Sequence, residues 1–125
     1  MYRPKVLIID DCHDYLDMME ITLERSGFRA ITQNTYKEIS KFVKNHKIDI
    51  LLLDVSMPDK CGKLFCKELK AGKKTSYFPI IMISGCPEVM HEYPSFNADD
   101  ALEKPVDMDL LIEKINKQLG RTVAA

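Results

Sequence analysis

The most constraining feature of this chain is the run from Ile48 to Leu53, nearly all isoleucine and leucine, which ends in Asp54. A strand with one face in water alternates apolar and polar residues. A strand apolar at consecutive positions must be covered on both faces, as in the interior of a parallel sheet. Val6-Leu7-Ile8-Ile9 is a second run of this kind, and it ends in Asp10-Asp11. Both are too short to span a bilayer. Two such strands require helices packed on each side of one sheet.

The rest of the chain supplies those helices. Lys5 to Asp10 reads as the first strand and His13 to Ser26 as a helix, with Leu16, Met19 and Leu23 on one face and Gly27 as its stop. Arg29 to Gln33 is a second strand, and Thr35 to Asn45 carries Tyr36, Ile39 and Val43 at helical spacing. After the Ile48–Leu53 strand, Cys61 to Ala71 forms a third helix. Pro79 to Ile83 forms a fourth strand, with proline at its first residue, where no ladder bond is lost. Gly85 to Asn97, interrupted by Pro87 and Pro94, holds at most two helical turns. Asp100 to Glu103 is a short fifth strand. Met108 to Leu119 is an amphipathic final helix that Asp107 is placed to cap. The order is βα repeated, which predicts a central parallel sheet with helical crossovers.

The chain has 125 residues, with 18 basic against 19 acidic side chains and a net charge of -1. That length suits one domain, residues 1–125 with a core over about 4–119, able to bury roughly two-thirds of its unfolded surface. The charge balance argues against a broad nucleic-acid or membrane footprint, though not against a local patch. Cys12, Cys61, Cys66 and Cys86 show neither zinc spacing nor a CxxC motif and read as free thiols. Without a signal-peptide pattern at its start, the chain is expected to be cytoplasmic. About six residues follow the last helix, so no attached output domain is expected.

In open parallel sheets the functional crevice lies at the carboxyl ends of the strands. Here the first strand stops at Asp10-Asp11, the third at Asp54, the fourth at Ser84 and the fifth at Lys104. Three carboxylates at one edge repel one another unless something positive joins them. Lys104 and Mg2+ are the natural candidates, since Mg2+ takes carboxylates, carbonyls and retained waters. The set makes sense as a phosphoryl acceptor. Asp54 is the candidate nucleophile. Asp11 and Asp54, with the Ser56 backbone carbonyl, are candidate metal ligands, and Asp10 assists directly or through water. Lys104 neutralises the transferring oxygens, and the Ser84 hydroxyl donates to the added group.

These segments together resemble the response-regulator receiver family of two-component signalling. The matching pieces are VLIIDD (6–11), IDILLLDVSMPDKCG (48–62), PIIMISG (79–85) and ADDALEKPV (98–106), and with the intervening helices they cover nearly the whole chain. The resemblance implies a doubly wound α/β fold, a flavodoxin-like three-layer sandwich with strand order 2-1-3-4-5. It implies Asp54 as the phosphorylated residue, with Asp10 and Asp11 as its acidic pair. Ser84 stands at the switch hydroxyl position and Lys104 at the family's lysine, followed by a frequently cis proline, Pro105. Met57-Pro58 and Gly62 match the loop after the phosphorylation site. The implied partners are a sensor histidine kinase or histidine phosphotransfer protein upstream, and a separate protein effector downstream. A monomer or weak homodimer is expected, without direct nucleic-acid binding.

Two positions depart from the family pattern. Ala101 stands where an aromatic residue often turns inward on activation, so propagation by another route, or only weakly, is expected. The Gly85–Asn97 segment is short and proline-broken, and Tyr93 and Phe96 are its candidate contributors to a partner surface. Ser56 and Cys86 flank the path of attacking water and are both small, which points to spontaneous hydrolysis of the phosphorylated form. An aspartate-nucleophile hydrolase of the haloacid-dehalogenase type needs a second carboxylate two residues after the nucleophile, and Ser56 occupies that place. The remaining alternative is a binding module of the same fold that works without phosphorylation.

Overall fold

The computed structural model describes residues 2–57 and 61–121. Five parallel strands form one sheet in the order β2-β1-β3-β4-β5: β1 (Lys5–Ile9), β2 (Arg29–Gln33), β3 (Ile50–Asp54), β4 (Ile80–Ser84) and β5 (Asp100–Glu103). The helices are α1 (His13–Arg25), α2 (Ile39–Asn45), α3 (Gly62–Ala71), α4 (Val89–Glu92) and α5 (Met108–Gln118). This is the doubly wound α/β fold with strand order 2-1-3-4-5.

The two apolar runs occupy the interior of the sheet for the reason their pattern gives. β3 is buried at every residue and lies between β1 and β4, with Leu51 beside Leu7 and Ile80. Alternate side chains of each strand enter opposite cores. Leu7, Leu51, Leu53 and Met82 pack with Ile39 and Val43 of α2, Phe65 and Leu69 of α3, and Val89 of α4. Ile8, Ile50, Leu52 and Ile83 pack with Leu16, Met19 and Leu23 of α1 and with Leu111 and Ile115 of α5. Edge strand β2 is only partly buried.

Boundaries differ from the sequence expectation where tertiary contacts outweigh local pattern. Helix α2 starts at Ile39, not Thr35, because Tyr36 turns its side chain into the core and Glu38 takes a left-handed backbone (φ 65°). The central strand starts at Ile50 and includes Asp54. Asp49 precedes it and accepts the Lys5 amide at 2.7 Å. The Gly85–Asn97 segment forms one α turn and one 3-10 turn (Tyr93–Phe96), closed by Asn97 in the left-handed region. Pro58 of the loop motif and residues 122–125 of the tail lie outside the described residues. The cysteines are free thiols. Cys66 is buried, and burial pushes its thiol up to about 12.

Asp107 caps α5 as expected. Its Oδ1 accepts the backbone N–H groups of Asp109 at 3.0 Å and Leu110 at 3.2 Å. Asp107→Ala is expected to cost about 1 kcal/mol, read as a lower urea midpoint with an unchanged slope.

Candidate functional site

Parallel pairing in register brings the carboxyl ends of the strands to one edge. Asp10 follows β1, Asp54 ends β3, Ser84 ends β4 and Lys104 follows β5. Asp10, Asp54 and Ser84 are each less than 4% exposed, whereas Asp11 faces solvent. Carboxylate oxygens of Asp10, Asp11 and Asp54 all lie within 4.8 Å of one another. Lys104 reaches across the edge, its Nζ 2.9 Å from Asp10 Oδ2 and 3.5 Å from Asp54 Oδ2. The Lys104–Pro105 peptide is cis.

Backbone amides fix the two buried carboxylates. Asp10 Oδ1 accepts the Cys12 amide at 3.0 Å, and Asp54 Oδ1 accepts the Ser56 amide at 3.0 Å. The Ser84 Oγ accepts the Cys86 amide at 3.0 Å and shares a hydrogen bond with Ser56 Oγ at 3.1 Å. The Ser56 hydroxyl therefore faces the switch-position hydroxyl in addition to the backbone-carbonyl role expected of that residue.

The electrostatics follow from this packing. Burial pushes the Asp54 carboxyl above its ordinary value. The Ser56 amide and Lys104 oppose that push, while Asp10 and Asp11 add to it. For Lys104, burial works against the charged form. The Asp10 hydrogen bond and the charges of Asp54 and Asp10 outweigh it and leave the ammonium harder to deprotonate than usual. Three carboxylates against one ammonium leave a surplus of negative charge in an oxygen-rich pocket. A divalent cation preferring oxygen ligands fits that donor set.

Tyr36 was legible in the sequence only as a helix-face residue. Its buried hydroxyl donates to the backbone carbonyl of Asp54, while its ring stacks on Phe65 of α3 at 4.9 Å. The reach of a tyrosine hydroxyl across the sheet leaves no local sequence signal. Ala101 is fully buried in β5, next to Met82 of β4. Tyr93 and Phe96 lie partly buried against the same core. Lys63 of α3 pairs with Glu92 of α4 at 2.9 Å and lies 5.9 Å from the Phe96 ring centre.

An open parallel sheet with three carboxylates and a lysine converging at its carboxyl edge puts the charged cluster where this class of fold binds its ligands. The family model for the response regulator receiver domain matches residues 6–116, and the chain belongs to that family. It is 30% identical over 119 residues to the regulatory protein VanR of Enterococcus faecium, covering 94% of this chain and 50% of VanR. It is 33% identical over 103 residues to the alkaline phosphatase synthesis transcriptional regulatory protein PhoP of Bacillus subtilis, covering 81% of this chain and 42% of PhoP. The chain thus spans about half the length of these curated relatives. Among solved structures, the receiver domain of the Francisella response regulator 1452 superposes with a TM-score of 0.84 at 28% identity, over 97% of this chain and 100% of that one. A CheY-like receiver domain protein from Methanospirillum hungatei gives 0.84 at 26% identity, over 95% of each chain. No helix among the described residues is long and apolar enough to cross a membrane.

Proposed function

We propose that Asp54 accepts a phosphoryl group from a phosphohistidine on a sensor histidine kinase or histidine phosphotransfer protein, and that the phosphorylated domain signals through a separate protein partner. One observation carries this reading: the Asp54 carboxylate is buried at the strand edge with the Lys104 ammonium 3.5 Å away and two further carboxylates within 4.8 Å. In the transfer, an Asp54 Oδ attacks phosphorus, the new O–P bond forms and the P–N bond to the donor imidazole breaks. The imidazole leaves with the electron pair and takes up a proton. Later attack by water returns the carboxylate and releases phosphate.

Asp10, Asp11 and Asp54, with the Ser56 backbone carbonyl, would hold Mg2+, whose charge neutralises the developing phosphoryl oxygens when bound. Asp10 holds Lys104 at the site through their 2.9 Å pair. Lys104 gives a fixed positive charge beside Asp54, its Nζ 3.5 Å from Asp54 Oδ2. The Ser84 hydroxyl becomes a donor to the new phosphoryl oxygens when it leaves Ser56. A phosphorylation-independent binding module remains the second reading, favoured by the fully buried Ala101, which has no ring to reorient.

The test is intact mass after incubation with acetyl phosphate, with and without Mg2+, on wild type and Asp54→Asn. The expected result is a Mg2+-dependent gain of about 80 mass units, one phosphoryl group, absent in the variant. No gain with acetyl phosphate, other small phosphodonors or the cognate kinase would overturn the reading in favour of the binding module.

A further inference from the structure

Tyr15 is the third residue of α1, one helical turn after Asp11, and its side chain lies partly buried against the α1–α5 core. Two observations single it out. The Lys104 Nζ lies 4.9 Å from the centre of its ring. Its hydroxyl is buried, yet it has no hydrogen-bond partner among the described residues. A buried hydroxyl without a partner contributes nothing to packing that a phenylalanine would not. The part of this side chain that the site uses is therefore the ring.

An ammonium is drawn to the face of an aromatic ring by the ring quadrupole, more strongly where water is excluded. A lysine side chain has many rotamers, and holding one costs entropy. Asp10 alone does not fix which way the Lys104 chain approaches, because an ammonium can meet a carboxylate from many directions. The Tyr15 ring supplies a second, differently directed attraction. Together the ring and the Asp10 carboxylate leave Nζ 2.9 Å from Asp10 and 3.5 Å from Asp54.

We propose that Tyr15 is a positioning residue for phosphoryl acceptance, its ring holding the Lys104 ammonium against Asp10 and Asp54. This rests on the role given to Lys104 above. It differs from the Asp54 contact in one respect: the ring is not itself altered when Asp54 gains a phosphoryl group.

The experiment compares wild type, Tyr15→Phe and Tyr15→Leu, each checked for folding by circular dichroism. It reads the rate of Mg2+-dependent modification by acetyl phosphate and the proton resonance of the Lys104 ε-methylene. A ring facing the ammonium shifts that resonance upfield. The shift is expected in wild type and Tyr15→Phe and lost in Tyr15→Leu, whose modification is roughly 3- to 10-fold slower, while Tyr15→Phe restores the rate. Equal rates in wild type and Tyr15→Leu, or a Tyr15→Phe rate as low as that of Tyr15→Leu, would overturn the proposal. So would an unshifted Lys104 resonance in wild type. A wild-type protein that takes up no phosphoryl group refutes the acceptor reading, and the resonance then still decides whether the ring holds the ammonium.

Discussion

Asp54→Asn is expected to abolish phosphoryl uptake and, in the absence of divalent cation, to make the folded protein more stable. Asp54 is buried, and its pKa is raised first by that burial, with Asp10 and Asp11 adding to it. A carboxyl whose pKa is higher in the folded state than in the unfolded state binds its proton more tightly on folding. Its favourable contribution is complete below the unfolded pKa and is lost as pH rises through the folded value. At neutral pH the ionised side chain is therefore a net cost. Asparagine keeps an oxygen for the Ser56 amide and removes the charge, and Lys104 keeps Asp10 as its partner. A gain of roughly 0.5–2 kcal/mol is expected at neutral pH, the size common for a single stabilising substitution. Urea titrations across pH check the sign: the wild-type and variant stabilities converge in acid and separate as pH rises. Adding Mg2+ stabilises wild type more than the variant, because ligand binding to the folded state alone adds to stability. A variant less stable than wild type at neutral pH would contradict this account.

Gly62→Ala is expected to cost about 1–3 kcal/mol, the usual size of overpacking in a filled interior. A Cβ at this position would sit 2.5 Å from the Tyr36 hydroxyl and 2.5 Å from the Val55 Cα. The second contact is backbone and has no rotamer to escape into. The first belongs to the hydroxyl that donates to the Asp54 carbonyl. The added methyl thus presses on the peptide that carries the acceptor, and slower phosphoryl uptake is expected alongside lower stability. Gly85→Ala is the contrasting substitution. A Cβ there meets nothing within 4 Å, so its stability change should stay within about 0.5 kcal/mol. Chemical denaturation of both variants checks the pair. Equal costs at the two glycines would rule out the steric explanation.

What the sequence made legible follows from what it encodes locally. The Ile48–Leu53 and Val6–Ile9 runs announced buried parallel strands because burial on both faces leaves no polar alternation. Asp10, Asp11, Asp54, Ser84 and Lys104 could be placed together because a parallel sheet sends every strand's carboxyl end to one edge. Asp107 read as a cap because a cap is a contact over two or three residues. The start of α2 was misplaced because helical spacing at Tyr36 mimics a helix face. The tyrosine is instead held by Asp54 and Phe65, both distant in sequence. The ring of Tyr15 beneath Lys104 was equally invisible, since eighty-nine positions separate them in the chain.

Ser84 makes its resting contacts before any phosphoryl group arrives. Its Oγ is engaged by the Cys86 amide at 3.0 Å and by the Ser56 hydroxyl at 3.1 Å. Drawing that oxygen away forfeits both bonds, each worth about 1 kcal/mol net. A bias of about 2 kcal/mol corresponds to a ratio of roughly 30 to 1 between resting and displaced hydroxyls. On the donor role proposed for Ser84, the serine pair sets the background: about 3% of unmodified molecules would carry the displaced arrangement at any moment. Replacing Ser56 by a residue without a hydroxyl would raise that leak several-fold while leaving the acceptor carboxylate in place.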